Sequence, residues 1–284
     1  MNSINKWIVG ARPRTLPAAI APVLVATAYA GNGWNLLRSL QALAVSLALQ
    51  VGVNYANDYS DGIRGTDDQR IGPIRLTASG LAKPLAVRRA AFISFSIAAL
   101  VGLYLASVIS WWLIAVGILA ISAAWGYTGG SQPYGYKGLG EISVFLFFGI
   151  VATVGSYYVQ VEKINLEIFL VATPMGALAC AILAINNLRD REQDQLVGKR
   201  TLAVRLGDKG ARRLYVALLI TSHLFALMTL QFGTLITLLV APLSWNLIRY
   251  VLAGATGAEL VPLLARTGQL QLLFSALFAL GLIL

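Results

Sequence analysis

Asparagine and aspartate side chains are concentrated in the segment 54–68, directly after an apolar run over residues 40–53. If the helix formed by that run continues, Asn54, Asp58 and Asp61 are spaced by four and three residues and lie on one helix face. Carboxylates crowded together in an apolar setting repel one another unless a cation or hydrogen bonds compensate. The spacing therefore predicts that these three residues bind a divalent cation, with Asn57 as a further candidate ligand.

A second cluster of the same kind begins 132 positions later, again at the end of a long apolar run, over 169–185. Here Asn186, Asp190 and Asp194 repeat a four-residue spacing over two helical turns. A solvated acidic helix end would explain either cluster alone. Two such clusters at matching places favour a single site built from two parts.

The donors in both clusters are oxygen atoms only, which favours a hard cation such as Mg²⁺. Mg²⁺ commonly bridges carboxylates and phosphate oxygens, so a diphosphate is the expected third component. Arg75, Lys137 and Lys199 lie in the neighbouring loops and are the candidates for neutralising its remaining charge. Tyr127 and Tyr136, in a Gly- and Tyr-rich turn, form either an interfacial aromatic belt or a wall for an aromatic or cationic species.

The composition places these clusters in a membrane protein. The chain has 284 residues, of which 57% are hydrophobic and 12% charged, whereas soluble domains carry roughly 25% charged residues. Its single Cys and single His exclude a disulfide framework and a Cys/His metal cluster. The net charge of +10 lies in loops between apolar segments, which indicates membrane topology and anionic partners rather than nucleic acid.

The apolar segments predict an all-α polytopic protein with nine transmembrane helices around a central cavity. They span residues 16–31, 38–56, 90–108, 110–127, 140–159, 167–187, 214–231, 233–252 and 267–284, with Pro242 interrupting the eighth. With a cytoplasmic N-terminus, 20 of the 22 Lys and Arg residues fall on the cytoplasmic side, leaving only Arg38 and Lys163 outside. Both acidic clusters are therefore expected at the cytoplasmic face of the cell membrane.

The whole chain is predicted to be one membrane domain with an internal repeat. The halves are 16–127 and 140–252, and the helix over 267–284 is an addition. Each half places its acidic cluster after its second helix, as in a parallel repeat about an axis along the membrane normal. The clusters are then expected to face each other across the cavity. This suits an amphiphile with a diphosphate head and a hydrocarbon tail.

Several motifs resemble the UbiA superfamily of membrane aromatic prenyltransferases, and within it the branch that uses 1,4-dihydroxy-2-naphthoate. They are Arg-Pro-Arg-Thr-Leu-Pro at 12–17, Asn-Asp-Tyr-Ser-Asp with Gly-Thr-Asp at 57–67, Gly-Pro-Ile-Arg-Leu-Thr-Ala-Ser-Gly at 72–80, Tyr-Lys-Gly-Leu-Gly-Glu at 136–141, and Asn-Asn-Leu-Arg-Asp with Gly-Lys-Arg-Thr-Leu-Ala-Val at 186–204. Asp61 follows Asp58 by three residues rather than four, as in the naphthoate branch, and this departure counts against 4-hydroxybenzoate as the acceptor.

The resemblance implies two Mg²⁺ ions, a polyprenyl diphosphate and an aromatic acceptor. The prenyl group would pass to the ring carbon of 1,4-dihydroxy-2-naphthoate that bears the carboxylate, with loss of CO₂, diphosphate and a proton, giving demethylmenaquinone, or demethylphylloquinone from a phytyl donor. For this reaction, Asp67 is a candidate base near the ring hydroxyl. Arg12, Tyr127 and Tyr136 are candidates for contact with the acceptor or for stabilising an allylic cation.

Two alternatives remain open on the sequence. One is a related enzyme with another aromatic acceptor, such as homogentisate. The other, from a different class, is a transporter of an anionic amphiphile, which the parallel repeat allows. Metal-dependent release of diphosphate in the presence of a prenyl donor and an aromatic acceptor distinguishes an enzyme from a carrier.

Overall fold

The chain folds into helices joined mostly by short loops. The computed structural model describes residues 3–66 and 72–284, and neither range contains a strand. The helices, numbered in chain order, are α1 Ser3–Ala11, α2 Pro17–Tyr29, α3 Leu36–Ile63, α4 Pro84–Val108, α5 Trp112–Gly126, α6 Gly140–Val161, α7 Glu167–Leu196, α8 Leu202–Leu227, α9 Phe232–Leu252 and α10 Leu260–Ile283. The all-α prediction is confirmed.

Most of these helices are built to lie in a bilayer. Within the described residues, six are long and apolar enough to cross one: α3, α4, α6, α7, α9 and α10 with the turn before it. The helices α2 and α5 are apolar but shorter. An integral membrane protein is therefore confirmed, whereas the count of nine spans, the two-half repeat and the cytoplasmic N-terminus stay predictions.

The helix α7 is the centre of the bundle. Its side chains at Ile168, Met175, Leu178 and Ile185 are fully buried, and it packs along α6, α8 and α10. Because lipid tails are as apolar as the helix surfaces, helices in a membrane associate through close packing rather than through the hydrophobic effect. A Cβ added at Gly149 of α6 would lie 2.4 Å from a backbone atom of α7. The absence of a side chain there lets the two backbones approach.

Two helices depart from regular α geometry. The segment Phe145–Val151 within α6 is π-helical, and π-helical turns are frequent at functional sites. The first part of α9, Phe232–Val240, is a 3₁₀ helix, and regular α-helix begins at Ala241 with Pro242 in its first turn. Pro242 thus stands where its missing N–H costs least, in agreement with the predicted interruption.

Arg38 joins α3 to α6 at the end of the bundle remote from the acidic clusters. Its guanidinium donates to the carbonyl oxygens of Val159 at 3.0 Å and Gln160 at 3.2 Å. It also pairs with Glu162 at 2.9 Å. These carbonyls belong to the last turn of α6, so Arg38 serves as a cap for that helix end.

Candidate active site

A cavity of about 960 Å³ lies within the bundle. The last turns of α3 and α7, the loops that follow them and the turn between α1 and α2 supply much of its polar lining, and apolar side chains of α3 to α7 supply most of its remaining walls. A cavity of this size with a few convergent polar groups is typical of a binding site for a small molecule. Its composition suits a ligand with a charged head and an apolar tail.

In the first acidic cluster, Asn57 and Asp61 line the cavity and Asp58 does not. As predicted, α3 continues through the cluster. Asp58, however, is fully buried, and its two carboxylate oxygens accept hydrogen bonds from the backbone N–H groups of Leu76 and Thr77, each at 2.8 Å. The structure therefore places Asp58 as the anchor of the loop 72–82 rather than at the predicted ligand position.

Asn54 contributes to the cavity wall with an amide that is already engaged. Its nitrogen donates to the carbonyl oxygen of Ala11 at 2.8 Å and to the hydroxyl of Thr15 at 3.0 Å. The guanidinium of Arg12 donates to the backbone carbonyl oxygen of Asn54 at 3.1 Å. These bonds fix the turn between α1 and α2, in which Arg12 has a left-handed backbone with φ of 53° and lines the cavity.

The second acidic cluster lines the cavity with all three predicted residues, Asn186, Asp190 and Asp194. Arg189 donates to both carboxylate oxygens of Asp190, at 2.7 and 2.8 Å, and to the amide oxygen of Asn186 at 2.8 Å. Each carboxylate oxygen has a second lone pair, so this pairing leaves Asp190 able to accept a further bond. Arg189, which the sequence interpretation did not include, fixes the orientation of both side chains.

Lys199 joins the two clusters. Its backbone N–H donates to the carbonyl oxygen of Asp194 at 2.8 Å, and its ammonium forms an ion pair with Asp61 at 3.2 Å. Both side chains of the pair are more than nine-tenths buried. The two acidic clusters therefore meet at one polar surface although 138 residues separate Asp61 from Lys199.

Tyr136 completes this contact. Its hydroxyl donates to Asp61, and the ammonium of Lys199 lies 4.6 Å from the centre of its ring. Burial raises the pKa of the Tyr136 hydroxyl, and the negative charge of Asp61 raises it further. The phenol therefore stays protonated at neutral pH and remains a hydrogen-bond donor.

The remaining predicted residues divide into those at the cavity and those elsewhere. Arg75 and Tyr127 line it. Lys137 is exposed and donates to Gln132 at 2.7 Å, so the structure does not bring it to the cavity. Asp67 lies outside the described residues.

A comparison with known protein families identifies the family of this chain. Residues 19–260 match the model of the UbiA prenyltransferase family. The chain belongs to this family.

Full-length relatives in the UbiA family are similar to this chain over nearly its whole length. The 1,4-dihydroxy-2-naphthoate octaprenyltransferase of Mycobacterium tuberculosis is 48% identical, covering 97% of this chain and 96% of the relative. The protein of the same name from Escherichia coli is 41% identical, covering 98% and 95%.

Solved structures of the UbiA family share the fold. A UbiA homologue from Archaeoglobus fulgidus, solved with DMAPP and Mg²⁺, aligns with a TM-score of 0.67 over 98% of this chain and 99% of its own, at 14% sequence identity. At that identity the likeness supports the helical architecture alone.

The polar residues at the cavity fit Mg²⁺ by the chemistry of their donor atoms. Residues 3–66 and 72–284 contain no group of three His, Cys, Asp or Glu side chains placed to hold an ion. The donors are instead mixed, with amide oxygens at Asn57 and Asn186 beside the carboxylates of Asp61, Asp190 and Asp194. Because Mg²⁺ is usually held by one or two carboxylates plus waters and substrate phosphates, this donor set is suitable.

Three residues that form hydrogen bonds at this site were not identified from the sequence. Thr128 donates its hydroxyl proton to the amide oxygen of Asn57 at 2.7 Å. Asn187 lines the cavity, and its amide nitrogen donates to the buried Glu141 at 2.9 Å. The third residue is Arg189. Asn187 and Arg189 stand inside the second motif, so their position there was the available signal. Nothing in the sequence marks Thr128.

Proposed function

We propose that this chain transfers a polyprenyl group from polyprenyl diphosphate to 1,4-dihydroxy-2-naphthoate, with release of diphosphate and CO₂, in menaquinone synthesis. The observation that carries the proposal is the convergence of Asp61, Asp190, Asp194 and Lys199 on one cavity with apolar walls. The choice of acceptor rests on the full-length relatives that carry that name.

The metal-binding residues are proposed to be Asn57 and Asp61 from α3 and Asn186, Asp190 and Asp194 from α7. Asn57 and Asp61 have the same four-residue spacing as Asn186 and Asp190, and all of them line the cavity. The proposed content is two Mg²⁺ ions. Bound there, Mg²⁺ would neutralise charge on the diphosphate and make it a better leaving group.

Arg75 and Lys199 are proposed to bind the diphosphate head, and Arg12 stays proposed for the acceptor. All three line the cavity, and the backbone beside Arg75 is held by Asp58 through Leu76 and Thr77. Cationic side chains fixed in this way stabilise the charge that develops on the leaving diphosphate without having to reorganise. Lys137 is omitted from the proposed site because it is exposed and bound to Gln132.

The apolar walls are proposed to hold the prenyl chain and to exclude water from the allylic carbon. The rings of Tyr127 and Tyr136 lie at the polar end of the cavity, where their faces can stabilise positive charge on that carbon. The C–O bond breaks with its electron pair going to the diphosphate. The ring carbon that bears the carboxylate then forms the new C–C bond, and departure of CO₂ returns an electron pair to the ring.

The protein is proposed to lie in the cell membrane with the polar end of this cavity at the cytoplasmic face. The support is the distribution of Lys and Arg, of which only Arg38 and Lys163 fall on the outer side.

The test is product mass. Membranes containing the protein are incubated with Mg²⁺, 1,4-dihydroxy-2-naphthoate and prenyl diphosphates of several lengths. The expected product is lighter by one CO₂ than the simple adduct of acceptor and prenyl group, and chelation of the metal abolishes it. If a product forms only with homogentisate, homogentisate is the acceptor in place of 1,4-dihydroxy-2-naphthoate. If intact prenyl diphosphate crosses vesicle membranes and no product forms, the protein is a carrier and not an enzyme.

A further inference from the structure

Glu141 is a buried carboxyl group that the mechanism above does not use. It is the second residue of α6 and is 7% exposed, and it lies behind the cavity wall rather than in it. One carboxyl oxygen accepts a hydrogen bond from the amide nitrogen of Asn187 at 2.9 Å. The other oxygen is buried and has no hydrogen-bond partner within the described part of the chain. Such a group costs stability, because its lost hydration is only half replaced.

The contact with Glu141 decides which way the Asn187 amide points. A carboxylate accepts hydrogen bonds only, so the amide nitrogen of Asn187 must face it. Asn187 itself lines the cavity. Its carbonyl oxygen is therefore the amide atom left for a ligand, and the cavity gains a hydrogen-bond acceptor beside the second acidic cluster.

The surroundings of Asn187 suit a flat aromatic molecule. Leu183 lies one turn earlier on α7 and also lines the cavity. The hydroxyl of Tyr127 and the side chain of Leu183 lie 3.0 and 3.3 Å from the position that a Cβ at Gly140 would occupy. A phenol ring and an aliphatic side chain thus meet beside Gly140, the residue before Glu141, and both line the same cavity as Asn187.

We propose that Asn187 binds the aromatic acceptor by accepting a hydrogen bond from one of its ring hydroxyl groups, and that Glu141 is a positioning residue that orients the Asn187 amide. This inference rests on the proposed function, since it assigns the acceptor end of the same cavity. A diphosphate has no proton to donate at that oxygen, whereas a dihydroxylated ring does. The pair therefore selects hydroxylated aromatic acceptors.

The test compares four variants of the full-length protein in detergent: Asn187→Leu, Glu141→Leu, Glu141→Gln and the double Leu variant. The KM for the acceptor is measured at saturating prenyl diphosphate, and the KM for prenyl diphosphate at saturating acceptor. Losing one hydrogen bond to a buried group predicts a rise in acceptor KM of roughly 10- to 100-fold for Asn187→Leu, with donor KM unchanged. Glu141→Leu should show the same rise.

The other two variants distinguish positioning from simple packing. Glu141→Gln keeps an acceptor oxygen of the same shape, so acceptor KM should stay within about threefold of wild type. The double Leu variant should be no worse than Asn187→Leu alone, because the two residues act as one unit. Asn246→Leu and Glu167→Gln, both at exposed positions that do not line the cavity, are the matched controls and should leave both KM values unchanged.

If Glu141→Leu does not fold, a second measurement tests the inference. It compares, as substrates, the two acceptor analogues in which one ring hydroxyl is converted to a methyl ether. Wild type should discriminate against one of the two methyl ethers, and Asn187→Leu should lose that discrimination. Unchanged acceptor KM in Asn187→Leu, additive effects in the double variant, or a rise in donor KM alone would overturn the inference. A wild-type protein that makes no prenylated product would instead refute the proposed function.

Discussion

Replacing Asp58 with Asn tests whether Asp58 anchors the loop 72–82 or binds a metal ion. As a loop anchor, Asp58 accepts two backbone hydrogen bonds at 2.8 Å from Leu76 and Thr77. Asn has one acceptor oxygen in place of two, and its NH₂ group would face a backbone N–H. The loss is one hydrogen bond to a charged group, worth about 1.5–3 kcal/mol.

The loss should appear as weaker binding of the prenyl diphosphate. The loop that Asp58 holds includes Arg75, which lines the cavity. If the loop is correctly placed in a smaller fraction of the molecules, the apparent dissociation constant of the prenyl diphosphate rises in inverse proportion to that fraction. A cost of about 2 kcal/mol corresponds to a rise in donor KM of up to about 30-fold. The dependence of rate on Mg²⁺ concentration, measured at saturating donor, should stay as in wild type.

Asp61→Asn is the comparison, because Asp61 lines the cavity three residues further along α3. There the rate at saturating donor should fall, and more Mg²⁺ should be needed for half the maximal rate. If Asp58→Asn shifts the Mg²⁺ dependence in the same way and leaves donor KM unchanged, then Asp58 is a metal ligand after all and the anchoring role is refuted.

Three further outcomes are expected. Lys199→Met removes a cation proposed to bind the diphosphate, and the loss of a hydrogen bond to a charged group worth about 2 kcal/mol should lower kcat/KM about 30-fold; equal activity of Lys199→Met and the exposed Lys137→Gln would contradict this. Gly149→Ala places a Cβ 2.4 Å from α7 and should lower the melting temperature by a few degrees, whereas Gly155→Ala, which meets nothing within 4 Å, should not. Gln271→Met removes two buried amide atoms that have no hydrogen-bond partner in the described structure, so it should raise the melting temperature, and a lower melting temperature would contradict this reasoning.

Local patterns along the chain predicted an all-α bundle and the meeting of the two clusters, but not α1 over Ser3–Ala11 or the start of α8 at Leu202. Long apolar runs followed by Asn and Asp at helical spacing predicted that α3 and α7 continue through their motifs, and both do. The concentration of Lys and Arg in loops placed both clusters on one side. These signals lie within a few residues of one another along the chain, so they can be recognised without knowing which distant segment packs against them.

The face of α3 that meets the cavity could not be predicted in this way. Asp61 shares one helix face with Asn54 and Asp58 and a neighbouring face with Asn57. Which of these faces turns inward depends on where the backbone N–H groups of Leu76 and Thr77 arrive, and that is a tertiary contact. The exposed position of Lys137 has the same origin, since the turn around it is set by Arg200, whose N–H donates to the carbonyl oxygen of Tyr136 at 2.8 Å.

The ion pair between Asp61 and Lys199 also bears on biogenesis. The chain is made from its N-terminus, so α3 is synthesised long before its cationic partner exists, 138 residues later. Until then the carboxylate must remain hydrated or find another counter-ion, because an uncompensated charge in an apolar surrounding is costly. The contact between the two acidic clusters can therefore form only after residue 199 has been synthesised, and a chain truncated before it would leave Asp61 without the Lys199 ammonium.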